Sequence, residues 1–158
     1  MPLLIGSPAP DFSLADQDGQ PVRLADFIGS WLALYAYPRD NTPGCTQEAK
    51  DFSCLLADFH RLGAQVAGVS PDKPASHLRF IAKQELGLRL LSDPDHAMIE
   101  CYGAWGMKKF MGRQFMGVIR STWLIDPRGR LAALWSPVAI KDHAREVLET
   151  LARLAGKT

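Results

Sequence analysis

Cys45 is the side chain in this sequence best placed to do chemistry. It follows the turn-forming run Pro38-Arg39-Asp40-Asn41-Thr42-Pro43-Gly44 and opens a stretch with helical apolar spacing. A thiol at a helix start faces unpaired backbone N–H groups and the positive end of the macrodipole. Both favour the thiolate, which is the nucleophilic form of cysteine. Thr42, three residues earlier, can set a hydroxyl beside the sulfur. Gly44 has no Cβ, so the backbone there can approach a ligand closely. Pro38 and Pro43 stiffen the turn and remove two backbone donors that would otherwise need partners. The chemistry in prospect is nucleophilic attack by sulfur. From these features alone, the competing reading is a buried cysteine packed under a turn.

Two more cysteines, Cys54 and Cys101, and four histidines, His60, His77, His96 and His143, complete the soft and titratable set. An odd number of cysteines at uneven spacing is no secreted disulfide framework, and three free thiols are ordinary in a reducing compartment. No Cys or His pair has the spacing of a metal site. A Cys-His hydrolase would need a histidine beside Cys45, and no motif puts one there. A dithiol reductase would want Cys-x-x-Cys, but position 48 is Glu. Free cysteines are frequently just small buried hydrophobes, the bland reading for Cys54 and Cys101.

The elements that must position Cys45 can be read from periodicity. Trp31 to Tyr37 is apolar on both faces, as a central strand would be, and stops at Pro38. Ala49, Phe52, Leu55, Leu56, Phe59 and Leu62 fit one helix running from Cys45 to Leu62 and stopped by Gly63. Gln65 to Val69 is a second strand. Leu78, Ile81, Ala82 and Leu86 mark the apolar face of another helix, from Pro74, closed by Gly87. Leu88 to Leu91 is a short strand, and Ser92-Asp93-Pro94 caps a short helix through Cys101. Ahead of these, Asp18-Gly19 between Phe12-Ser13-Leu14 and Val22-Arg23-Leu24 signals an N-terminal β-hairpin. Behind them, Gly103 to Gly117 is expected to be a Gly-rich, basic loop. Ser121 to Ile125 and Leu131 to Trp135 are paired strands, and Ala144, Val147, Leu148, Leu151 and Leu154 share one face of a last helix. Strands alternating with helices imply an α/β fold with one sheet between helical layers.

Composition narrows the function classes. The 158 residues are 47% hydrophobic and 22% charged, with a formal net charge of +1. That suits a single domain over 1–158 and gives no footing for a nucleic-acid partner, an acidic tail or disorder. No apolar run is long enough to span a bilayer, and the start has no signal-peptide pattern, so the expectation is a cytoplasmic protein with no membrane partner.

The run Tyr37-Pro38-Arg39-Asp40-Asn41-Thr42-Pro43-Gly44-Cys45-Thr46, followed by Glu48-Ala49, resembles the active-site signature of peroxiredoxins. More narrowly, it is similar to the peroxiredoxin Q or bacterioferritin comigratory protein branch. The likeness extends along the chain: Ala9-Pro10-Asp11-Phe12-Ser13-Leu14 and Gln17-Asp18-Gly19 at the opening, then Leu91-Ser92-Asp93 with Asp95-His96. Gly103-Ala104-Trp105-Gly106, Phe110-Met111-Gly112, Arg120 and Leu124-Ile125-Asp126 with Gly129 continue it. The resemblance implies a thioredoxin-like fold, with a central mixed β-sheet flanked by helices. It implies reduction of hydrogen peroxide or organic hydroperoxides without metal, haem or flavin. Cys45 would attack the peroxide and become a sulfenic acid. Thr42 would hydrogen-bond the peroxide. Arg120 would hold the thiolate and polarise the peroxide, and N–H groups near Gly44 and Cys45 would orient its oxygens. Pro38 would shield the thiol. Glu48 would cap the helix or orient an arginine. The resemblance also leans to a monomer or weak dimer.

One departure matters. Many members of this branch carry a resolving cysteine five residues after the nucleophile, where this chain has Lys50. Others carry it on the next long helix, and Pro74 to Leu86 contains no cysteine. Cys54 lies nine residues after Cys45, about 13.5 Å along an intact helix, whereas a disulfide needs Cα atoms within about 7 Å. The expectation is therefore a one-cysteine peroxidase reduced by an external thiol, from thioredoxin, glutaredoxin or a small molecule. The alternatives are a two-cysteine enzyme that resolves through Cys54 or Cys101, and a non-enzymatic peroxide sensor or chaperone-like module. The basic loop with Lys108, Lys109 and Arg113 borders the active site or the reductant's docking surface on this reading.

Overall fold

The computed structural model describes residues 3–156. A hairpin of β1 (Ser13–Asp16) and β2 (Pro21–Arg23) precedes a 3-10 turn at Leu24–Phe27. Then come β3 (Trp31–Ala36), α1 (Pro43–Cys54), α2 (Leu56–Arg61), β4 (Ala64–Ser70), α3 (Pro74–Gln84) and β5 (Arg89–Ser92). After α4 (Ala97–Cys101) the chain forms β6 (Trp105–Phe110) and β7 (Arg113–Val118), then β8 (Ser121–Ile125), β9 (Leu131–Trp135) and α5 (His143–Ala155). Seven strands make one mixed sheet in the order β2-β1-β5-β4-β3-β8-β9. β3 runs parallel to β4 and antiparallel to β8.

β3 is buried along its whole length, and its alternation divides the core. Leu32, Leu34 and Ala36 join Phe12, Phe27, Trp123 and the α4 residues Met98 and Ile99 on one side. Trp31, Ala33, Tyr35 and Tyr37 face Cys45, Phe52, Phe59, Phe80, Val147 and Leu151 on the other. Cys45 therefore lies beneath the layer built from α1, α2, α3 and α5. The Tyr35 ring stacks on Phe52 at 4.7 Å and fixes α1 against the central strand.

The N-terminal hairpin, the central strand, the β8–β9 pair and the last helix form where periodicity places them. Three expectations change. The helix expected from Cys45 to Leu62 starts two residues earlier and breaks at Leu55, whose φ and ψ are −97° and 3°. Both pieces keep an aromatic in the core, Phe52 and Phe59. The apolar face assigned to the helix from Pro74 is rotated: Leu78 is 48% exposed, whereas His77 and Phe80 are fully buried. The Gly103–Gly117 loop is a separate two-stranded hairpin, β6–β7, turning through Met111 and Gly112 at φ 51° and 79°. Among the described residues no helix is long and apolar enough to cross a membrane.

Candidate active site

Thr42 is the N-cap of α1 and Pro43 its first residue, where a missing N–H costs nothing. Cys45 is thus the third helical residue, inside the first turn. The first intrahelical bond is Thr46 N–H to the Thr42 carbonyl, so the Gly44 and Cys45 N–H groups have no helical acceptor. Cys45 is 2% exposed. The Thr42 hydroxyl donates to the Arg39 carbonyl at 2.9 Å, which leaves its oxygen as an acceptor. Pro38, half-buried, ends the central strand and starts the turn.

Arg120 enters from the other side, on the two-residue link between β7 and β8. Its Nη2 donates to Cys45 Sγ at 3.3 Å and its Nη1 to Glu48 Oε1 at 2.6 Å. The cation thus bridges two acceptors one helical turn apart on α1. Its side chain is 16% exposed, in a setting that strengthens the pairing. The Arg120 carbonyl accepts from Val138 N–H at 2.9 Å, which draws the β9–α5 loop over the site. There Ile140 packs close to Gly44. A Cβ on Gly44 would stand 3.0 Å from Ile140 Cδ1 and 3.4 Å from Arg120 Nη2. The glycine is needed for that close approach.

Glu48 is 1% exposed, and its Oε2 has no hydrogen-bond partner among the described residues. Burial pushes its carboxyl up to about 7, against the pull of Arg120. Burial acts against the Arg120 charge too, but Glu48 and the Cys45 sulfur outweigh it and hold the guanidinium protonated. Burial and Arg120 push Lys108 of β6 downward, while Cys45 draws it up, which brings the hairpin into the field of the site.

A second polar group, with no motif to announce it, holds the turn from behind. Asp40 accepts from Tyr37 Oη at 2.6 Å, Ser76 Oγ at 2.7 Å and His77 Nδ1 at 2.8 Å. His77 Nε2 meets the Leu91 carbonyl at 2.9 Å. Both ring nitrogens of His77 thus meet an oxygen, one from Asp40 and one from the Leu91 backbone. Asp40 N–H donates to Asp72, which also receives the Ser70 hydroxyl. Burial alone would raise Asp40, but the bonds from His77 and Tyr37 and the charge of His77 bring it below the usual aspartate range. Asp40, Asp72 and His77 lie close enough to hold a metal ion, but these hydrogen bonds already engage their donor atoms. The sequence signal was available only in part. Asp40 lies within the signature, but its partner is 37 residues away.

The other candidates stand apart. Cys54 ends α1 and is exposed. Cys101 is exposed on α4, a helix that packs on the opposite face of the sheet from Cys45. The buried histidines are not aimed at the sulfur: His143 Nε2 bonds Thr122 Oγ1 at 2.8 Å, and His77 bonds Asp40 and Leu91. His96 stacks on Trp105. The geometry is that of a thiol nucleophile backed by an arginine.

Residues 5–134 match the model of the AhpC/TSA family. The chain belongs to that family. It is a peroxiredoxin of thioredoxin-like fold, a thiol-dependent peroxidase. This peroxiredoxin is 43% identical to peroxiredoxin Bcp of Bacillus subtilis over 157 residues, covering 99% of this chain and all of the relative. It is 41% identical to peroxiredoxin Bcp of Escherichia coli over 150 residues, covering 95% and 96%. Among solved structures, PrxQ of Xylella fastidiosa, as a cysteine-to-serine mutant, superposes with a TM-score of 0.92 at 34% identity, covering 98% and 99%. The bacterioferritin comigratory protein of Xanthomonas campestris, described with alkyl peroxide reduction activity, gives 0.89 at 37% identity, covering 97% and 98%.

Proposed function

We propose that Cys45 carries the peroxidase turnover by a one-cysteine route, with residues 1–158 acting as one domain. The observation that carries this is the Arg120 fork, which holds the Cys45 sulfur and Glu48 together at the start of α1. Cys45 thiolate attacks the terminal oxygen of a hydroperoxide. An S–O bond forms as the O–O bond breaks, and the displaced oxygen leaves as water or an alcohol once it gains a proton. Arg120 offsets the charge that develops on that oxygen, and the free Gly44 and Cys45 N–H groups do the same from the helix. Arginine suits the task because it stays charged when desolvated. The Thr42 oxygen accepts the peroxide O–H. Pro38 shields the sulfur from water, and Glu48 keeps the guanidinium aimed. Hydrogen peroxide and organic hydroperoxides are the substrates.

The resulting sulfenic acid is reduced by a thiol from outside the chain. α1 is continuous between Cys45 and Cys54, which supports this reading, as does the sheet between Cys45 and the helix bearing Cys101. In the reducing cytoplasm such a thiol is always at hand, and a monomer or weak dimer suffices. A Cys54→Ser, Cys101→Ser double variant tests the route. With dithiothreitol as reductant it is expected to turn over at the parent rate, and after one equivalent of peroxide the non-reduced protein is expected to gain one oxygen on Cys45. Loss of turnover with normal Cys45 oxidation would make one of those residues the resolving cysteine.

A further inference from the structure

The β6–β7 hairpin is unlike the rest of the surface. Residues 101–125 contain no aspartate or glutamate, yet include Lys108, Lys109 and Arg113. The same hairpin leaves Met107, Phe110, Met111, Phe115 and Met116 between 45% and 86% exposed. Cross-strand partners share a face, so Lys108 pairs with Phe115 and Phe110 with Arg113 on one side. On that side Gly117 has no Cβ. One placed there would lie 3.2 Å from Lys108 Cδ and 3.4 Å from the Phe115 ring, so both side chains lean over the glycine. This face continues into the catalytic site. Arg120 lies two residues beyond the end of β7, and Lys108 is within the field of Cys45 and Arg120.

We propose that this face of the hairpin is where a protein dithiol reductant docks, one with an apolar rim and net negative charge around its reactive thiol. The inference rests on the external-thiol reading given above. Any protein that reduces Cys45 must land around it, and here the landing ground is apolar and cationic without a compensating carboxylate. A small thiol would need no such surface. A nucleic acid would leave Phe110 and Phe115 in water. A second copy of this chain would bring like charges together. In the docked pair, the partner thiolate attacks Sγ of the sulfenic acid, forming an S–S bond as the S–O bond breaks, and hydroxide leaves as water with one proton. The partner's second thiolate then attacks its own sulfur, and Cys45 departs as thiolate. Two electrons pass from the dithiol, which becomes a disulfide.

The test compares the parent with Arg113→Glu and with Phe110→Ser, Phe115→Ser. Escherichia coli thioredoxin, recycled by NADPH and thioredoxin reductase, is one reductant and dithiothreitol the other. Both variants are expected to lose about tenfold or more in kcat/KM for thioredoxin, and the charge variant also to lose its salt dependence. Oxidation of Cys45 by peroxide and turnover with dithiothreitol are expected to stay within about twofold. Parent-like thioredoxin kinetics in both variants would overturn the proposal. So would a parent that turns over with dithiothreitol but not with thioredoxin, which leaves the peroxidase reading standing. Binding of the parent to phosphatidylglycerol vesicles that both variants lose, without a change in thioredoxin kinetics, would assign the hairpin to a membrane surface instead. Failure with dithiothreitol would count against the external-thiol reading itself.

Discussion

Replacing His77 with leucine removes a buried hydrogen-bonding partner of a carboxylate whose own side chain is 2% exposed. Asp40 keeps its bonds from Tyr37 and Ser76 but loses the contact with His77. Breaking a buried pair from one side costs about 3–5 kcal/mol. Leucine is similar in size and returns about 1–2 kcal/mol of apolar burial. The net loss is about 1–4 kcal/mol, or about 2–16 °C in Tm for a domain of this length. The pH dependence has a definite sign. An aspartate held below its usual range adds stability above its unfolded value, and that contribution disappears as pH falls through its folded value. His77→Leu should therefore trail the parent most near neutrality, and the gap should close in acid. Urea unfolding at about pH 7 and about pH 2.5, below the ordinary aspartate value, measures both. A deficit under about 1 kcal/mol at neutral pH, or one that grows in acid, would refute the ion-pair reasoning. Asp40 also sits inside the turn that carries Thr42, so the rate of Cys45 oxidation should drop alongside stability.

Arg120→Ala should slow Cys45 oxidation by the equivalent of about 2–4 kcal/mol and move thiolate formation to higher pH. Stopped-flow oxidation at parent speed across pH would reduce Arg120 to a structural residue. Gly44→Ala should lower peroxide reactivity more than stability, since the new methyl crowds Ile140 and the Arg120 fork. A Tm loss with unchanged oxidation rate would contradict this. Glu48→Gln removes a carboxyl that ionises later in the fold than in the unfolded chain. Because such a group costs stability as pH rises through the interval between its two values, the variant should gain on the parent from about pH 4.5 to about pH 7, as read by urea titration.

Much of the frame was legible in the residues because burial on both faces or one face leaves a period. Trp31 to Tyr37 reads as a central strand for that reason, and the stripe through Ala144, Val147 and Leu151 reads as a helix. The placement of Cys45 in the first turn of α1 was legible because a turn, a helix start and a thiol are contiguous in sequence. What escaped lacked a local signal. His77 counts as polar in any hydropathy pattern, so Leu78 and Ala82 drew the helix face away from it. The β6–β7 hairpin exposes apolar and charged residues on both faces, so no alternation marks its strands, and its glycines mimic a loop. The break at Leu55 leaves the apolar spacing on either side intact, so periodicity runs straight through it.

The three thiols differ in exposure in a way that bears on how they are counted. Cys54 and Cys101 lie open to solvent, and Cys45 is buried and gripped by Arg120. A bulky alkylating reagent meets access before nucleophilicity, so it modifies these residues in the reverse order of their importance. A brief maleimide pulse on the folded, reduced chain tags two sulfurs and spares the third. A cysteine survey that ranks reactivity by such labelling would put the proposed nucleophile last.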